Sequence, residues 1–274
     1  MNIPNDITLP FFAYGVFKPG QLCYPRIRDF VCMTVDGYAK GVLRERDGIP
    51  LFNSSGGQNK VKGSLIYFQS GSEDAAYKRI VEIEPGRVYR WDKARVNGKI
   101  ISNVLFGKRE ERGSTPLEDV EEWDGKDDPF FRHGLNEVKT ILENNSSFKW
   151  DYAALFRLQM AYTFLWSIIE RYAGLRYHLG NNVNQKILEI ATEESFVDGL
   201  RKYVKSERVV YSASDLNKYT LDSSNPQNAI KYYYQVRSNA VHRGKAVVDD
   251  FDTMKFSLEE LLAIFTDVLD SSFS

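Results

Sequence analysis

Apolar positions along this chain follow two different periods, and the change falls near residue 125. Before it, short runs rich in β-branched and aromatic residues are punctuated by Gly and Pro. Leu9–Val16, Gly37–Leu43, Val61–Phe68, Arg87–Val96 and Ile100–Phe106 read as strands. Asp47–Pro50 and Asn53–Gly57 read as turns or loops, and one helix is predicted over Ser72–Ile83. After the polar stretch Trp123–Pro129 the period becomes helical. Leu155, Leu158, Tyr162, Leu165, Trp166, Ile169 and Tyr172 recur every three or four positions, which predicts a helix over Asp151–Tyr177. A second is predicted over Val183–Val204. Asn225 followed by Pro226 marks the start of a third, which ends at Gly244. Ser257 and Glu260 have capping-box spacing and open a fourth that runs toward Leu269. The pattern predicts an α+β chain in three parts: a small mixed β domain over 1–125, a linker and first helix region over 126–150, and an all-α bundle over 151–274.

Composition narrows the picture. An apolar content of 43% can fill real cores, which excludes disorder as a global description. The 36 basic and 37 acidic residues give no bulk attraction to nucleic acid or to a membrane surface, so any RNA contact has to come from a local patch. Cys23 and Cys32 are nine positions apart without a metal-ligand pattern, as expected of reduced thiols. His133, His178 and His242 are scattered, and neither a metal nor a cofactor is expected. The most apolar segment, Leu158–Ile169, is shorter than the about 20 residues a bilayer span needs. Asn2, Asn5 and Asp6 do not form a signal peptide, so a cytoplasmic protein with no membrane partner is expected.

Candidate chemistry appears at two places. In the first half, Phe12-Ala13-Tyr14-Gly15-Val16-Phe17-Lys18-Pro19-Gly20 is a strand entering a glycine-bounded loop, whose N–H groups can converge on an anion. Val81-Glu82-Ile83-Glu84-Pro85-Gly86-Arg87-Val88-Tyr89 places a carboxylate at a helix-to-strand turn. Taken singly, the loop is an ordinary turn and Glu84 an ordinary surface carboxylate. Together with Val61-Lys62-Gly63-Ser64-Leu65-Ile66-Tyr67 and Gly48-Ile49-Pro50, over roughly residues 9 to 125, they resemble the γ-glutamylcyclotransferase-like family. The resemblance implies a small barrel with flanking helices, Tyr14, Gly15, Val16 and Phe17 as the substrate loop, and Glu84 as the catalytic acid and base. It also implies a small γ-glutamyl-like ligand. Val16 and Phe17 stand where the family carries Ser/Thr and Leu, and Pro85 separates Glu84 from Gly86.

In the second half, Arg237 and His242 lie five positions apart within one predicted helix. Arg is a permanent cation whose fork matches phosphate oxygens, and His exchanges protons near neutral pH. An interhelical ion pair and a helix-capping His would account for the same residues structurally. With Tyr234-Gln235-Val236 before the pair and Arg243-Gly244-Lys245 after it, the stretch resembles the HEPN family over roughly Asp151–Phe273. That resemblance implies catalysis by Arg237 and His242, RNA contacts from Asn239, Arg243 and Lys245, and a homodimer formed through the helix Tyr234–His242. Ser238 stands where active members carry Asn, Asp or His.

The two resemblances together imply a bacterial-type stress or defence protein. A metal-independent endoribonuclease or RNA-binding module would then be coupled to a γ-glutamylcyclotransferase-like domain. Two rivals remain open: a 5-oxoproline-forming γ-glutamylamine cyclotransferase with a helical dimerisation domain, and a non-catalytic binding scaffold.

Overall fold

The computed structural model describes residues 1–46, 48–53, 59–84, 86–108, 113–117, 121–145, 151–177, 182–243 and 248–273, with the backbone alone at 242–243 and 248–250. The chain forms two compact units. One comprises Met1–Asp128 with Leu175–Gly180 and Phe273–Ser274; the other comprises Pro129–Gly174 and Asn181–Ser272.

The first unit contains β1 (Phe11–Ala13), β2 (Val31–Lys40), β3 (Val42–Arg46), β4 (Ile49–Asn53), β5 (Lys60–Phe68), α1 (Glu73–Ile83), β6 (Tyr89–Val96), β7 (Ile100–Gly107) and β8 (Thr115–Pro116). β1, β5, β2, β6 and β7 are neighbours in that order, and a parallel pairing of Phe11 with Asn103 joins β7 back to β1. This closes a five-stranded barrel. β4 extends the sheet from β7 at Phe52↔Phe106, and the β3–β4 hairpin and β8 follow outside it.

The alternation in β5 explains its place in the wall. At its start Val61 is buried between exposed Lys60 and Lys62, as period-two geometry requires of a strand with one core face, and from Gly63 to Ile66 both faces are buried. α1 buries Ala76, Tyr77, Ile80 and Ile83, one stripe at helical spacing. The Tyr77 ring meets Phe68 and Trp91 at centroid distances of 5.2 and 5.3 Å, fixing the helix against β5 and β6. α1 then ends at Glu84, whose backbone is already extended with ψ 124°.

The second unit contains α2 (Leu135–Asn145), preceded by a π-helical turn over Phe130–Gly134, then α3 (Tyr152–Tyr177), α4 (Val183–Ile190), α5 (Glu194–Tyr203), β9 (Arg208–Tyr211), β10 (Lys218–Leu221), α6 (Pro226–Arg243) and α7 (Val248–Ser272). α3 and α6 pack through aromatic side chains. Tyr162 donates its hydroxyl to the Tyr233 carbonyl at 2.8 Å, and the rings of Trp166 and Tyr234 meet edge-on at 5.3 Å.

Several expectations need correction. The second unit is not all-α, because β9 and β10 form an antiparallel hairpin within it. The helix expected over Val183–Val204 is broken at Ala191–Glu193 into α4 and α5. Ser257 does not cap the last helix: α7 begins at Val248, and Ser257 is a fully buried interior residue whose hydroxyl has no partner. The capping spacing is accidental there, since buried Phe251 and Met254 carry the apolar stripe further back. The turn expected at Asp47–Pro50 is shorter than that. Gly48, at φ 76°, makes the bend, and Ile49-Pro50 already belong to β4. Asp47 and 54–57 lie outside the described residues, as do the expected helix end at Gly244 and residues 146–150 of the expected linker. The rest of that linker is divided, Lys126–Asp128 belonging to the first unit and Pro129–Asn145 to the second.

Candidate functional site in the barrel

Glu84 leaves the end of α1 and turns inward. It is 4% exposed, and its Oε2 has no hydrogen-bond partner. Burial alone pushes its carboxyl up from the ordinary 4.5 to about 8, so at neutral pH it carries its proton. A buried carboxyl raised in this way can give and take a proton near physiological pH.

Glu84 shares a cavity with the loop after β1. Tyr14, Gly15, Val16 and Phe17 form one side, and Pro50, Tyr89 and Leu105 complete the wall around the carboxyl. The cavity is about 20 Å³, which is room for one water molecule. Gly15 permits this closeness, because a Cβ there would stand 2.5 Å from Cγ of Pro50. The loop holds itself by short internal bonds: Lys18 N–H donates to the Gly15 carbonyl at 2.9 Å, and Cys23 N–H to the Val16 carbonyl at 2.8 Å. The N–H groups of Gly15, Val16 and Phe17, by contrast, donate to no acceptor among the described residues, although all three residues are buried. Three N–H groups of buried residues, without acceptors among the described residues and in one cavity with a buried carboxyl whose Oε2 is bare, are a polar set of the kind a ligand completes.

The hydroxyls nearby are already committed. Tyr14 donates to the Leu105 carbonyl at 2.6 Å and accepts from Phe52 N–H at 3.2 Å; Tyr89 donates to the Pro50 carbonyl at 2.6 Å. Burial raises both phenols, and the neighbouring Glu84 raises them further. Tyr14 therefore shapes the cavity with its ring and backbone, and its hydroxyl is fixed to the fold. Lys18, which the sequence did not single out, is buried and paired with Glu122 at 2.6 Å and the Trp123 carbonyl at 3.0 Å. This anchors the far end of the loop. Tyr89 was legible only as the tyrosine of the Gly86-x-x-Tyr89 element, and Pro50 only as the end of Gly48-Ile49-Pro50.

The second candidate is less assembled. Arg237 on α6 is half-buried, its guanidinium carbon lies 5.6 Å from the Tyr234 ring centroid, and its Nε is buried without a partner. The α6 backbone carries His242 five residues on, about 140° round the helix. The His242 and Arg243 side chains and all of Lys245 lie outside the described residues. Asn239 is committed to the fold, because its amide ties α6 to the β9–β10 hairpin. Oδ1 accepts from Ala213 N–H at 3.0 Å and from Gln235 Nε2 at 2.8 Å, and Nδ2 donates to the Tyr211 carbonyl at 2.8 Å. Asn239→Ala is expected to cost about 2 kcal/mol in denaturant unfolding, because it orphans groups on the hairpin. A variant of unchanged stability that selectively loses RNA affinity would restore Asn239 as a ligand contact.

No helix among the described residues is long and apolar enough to cross a membrane, and none of those residues forms a group of three or more His, Cys, Asp or Glu side chains able to hold a metal ion. Comparison of the chain with protein-family models, curated proteins and solved structures gives no match.

Proposed function

We propose that the barrel catalyses an intramolecular acyl transfer on a γ-glutamyl amine, with Glu84 as its acid and base. The observation that carries this reading is the buried Glu84 carboxyl, held near pKa 8, with its free Oε2 in one cavity with the Gly15–Phe17 loop. In the ionised form Glu84 takes a proton from the substrate's α-amine as that nitrogen bonds to the γ-carbonyl carbon. The carbonyl oxygen becomes an oxyanion, which the unoccupied loop N–H groups stabilise. Glu84 then returns the proton to the departing amine as the original C–N bond breaks, leaving 5-oxoproline. Atoms and protons balance without a redox partner. Because the cavity admits only one water, substrate binding requires the loop, or the Val16 and Phe17 side chains that replace the family's smaller pair, to move outward.

The test is release of 5-oxoproline from a panel of γ-glutamyl amines by the full chain. Turnover is expected to rise with pH to a limb near 8, where Glu84 ionises. An intact fold with no turnover across the panel would reduce the barrel to a binding module. The endoribonuclease reading of the second unit rests, among described side chains, on Arg237 and its unpartnered Nε. Incubating the same preparation with RNA and DNA in EDTA decides it, since metal-free use of the ribose 2′-OH cuts RNA alone.

A further inference from the structure

β2 is paired with β5 continuously from Met33 to Lys40, with a bulge at Cys32 before it, but meets β6 only at Ala39↔Val96. Tyr38 shows which way its backbone groups point. Its N–H donates to Asn97 Oδ1 at 3.0 Å, and its carbonyl accepts from Asn97 N–H at 2.9 Å. In an antiparallel strand the N–H and C=O of one residue share a side, and alternate residues share that side. Thr34 and Asp36 therefore turn their backbone groups toward the same β6-facing side, where neither has a backbone partner among the described residues. The strand there is exposed from Cys32 to Asp36, with Met33 at 50% and Val35 at 40%. No Lys or Pro stands in this run, and of the devices that ordinarily protect an open edge it carries only the bulge at Cys32 and the charge of Asp36.

We propose that this edge is a homotypic interface, on which β2 of a second copy of the chain adds antiparallel about a twofold axis at Thr34. The occupant is argued from self-complementarity. With Thr34 facing its own copy, two N–H···O=C bonds form between them. Met33 of each chain then faces Val35 of the other, covering the exposed apolar side chains in pairs. Asp36 comes opposite the bulge residue Cys32, so no like charges meet. Moving the axis to Asp36 would set carboxylate against carboxylate. Moving it to Val35 would press Met33 onto Gly37, a place already covered by Val96 and Asn97, since a Cβ on Gly37 would stand 2.6 Å from Val96 Cγ1. The Thr34 register is the one that satisfies charge, packing and backbone together.

Sedimentation velocity over a concentration series of the full chain is expected to show a reversible monomer–dimer equilibrium. Thr34→Pro removes only an outward N–H and leaves the β5 ladder whole. It is expected to abolish the dimer with the circular dichroism unchanged. In a Cys32→Ser background, Thr34→Cys is expected to form an intermolecular disulfide on mild oxidation. Facing Cα atoms in a bonded antiparallel pair lie about 5.5 Å apart, within disulfide reach. Asp36→Cys in the same background is expected not to crosslink, because its two copies lie roughly 13 Å apart along the ladder. A monomer at every concentration, a dimer indifferent to Thr34→Pro, or equal crosslinking at both cysteines overturns the proposal. A dimer that persists in Thr34→Pro assembles elsewhere, as a pairing through α6 would. If Thr34→Pro unfolds, the cysteine comparison decides alone.

Discussion

Glu84→Gln is expected to stabilise the barrel at pH 8 while erasing the proposed release of 5-oxoproline. The carboxyl has an ordinary value of 4.5 and a folded value of about 8. Between those values the folded chain holds a proton that the unfolded chain has released. Wild-type stability is therefore full below pH 4.5 and falls as pH rises through about 8. The loss across this window is a few kcal/mol, about 5 at most. Gln is nearly isosteric with the protonated acid and does not titrate, so it escapes the decline. The measurement is denaturant unfolding of both proteins at pH 4.5, 6 and 8, with 5-oxoproline release followed in parallel. The two should match at the lowest pH and separate toward pH 8 in favour of Gln. A gap that does not change with pH would mean that Glu84 is not a buried neutral acid. Turnover retained in the Gln variant would remove Glu84 from the chemistry, whatever its titration. Stability given up at a site that gains activity from it is the usual signature of a functional residue.

What the sequence revealed of this site was its local half. Gly48-Ile49-Pro50, the Tyr14–Phe17 loop and the Glu84 turn are short motifs, and the cavity brings all three together. Their wiring was not legible, because it spans the chain: Lys18 reaches Glu122, and Tyr14 reaches Leu105. Among the elements, β5, β6, β7, α1 and α3 followed from alternation or helical spacing. Asn225 does cap α6, its Oδ1 accepting from Asn228 N–H at 3.1 Å. The first half of β2 was missed although Val31, Met33 and Val35 alternate with Cys32, Thr34 and Asp36; the run carries this strand period while lying exposed on both faces, so the alternation marks no core face. β4 was hidden by Pro50, which a turn and a strand start tolerate equally. The β9–β10 hairpin was hidden by its connection, which turns at Leu216 with φ 59° where a glycine or asparagine would have signalled a bend.

That hairpin carries the second large effect. Arg208 at the start of β9 grips Glu260 of α7 with both terminal nitrogens; Nη1 donates to Oε1 at 2.9 Å, and Nη2 contacts Oε2. Tyr233 of α6 donates its hydroxyl to the same Oε2 at 3.0 Å. Three elements of the second unit therefore converge on one carboxylate whose side chain is 13% exposed, against 22% for the arginine. Breaking such a pair costs more than forming it gained, because the surviving charge is left desolvated without its counterion. Glu260→Ala also strands the Tyr233 hydroxyl. A groove of about 480 Å³ that includes both residues lets water reach the survivor, which softens the penalty. Either Glu260→Ala or Arg208→Ala is accordingly expected to cost about 2–4 kcal/mol in denaturant unfolding. The double replacement Arg208→Leu/Glu260→Leu is expected to cost less than either single, because it removes both charges and supplies apolar volume. Additive losses below about 1 kcal/mol each would mean that the pair behaves as a solvated surface bridge. The hairpin would then be held to the helices chiefly by the Asn239 amide and its contacts with Tyr211 and Ala213.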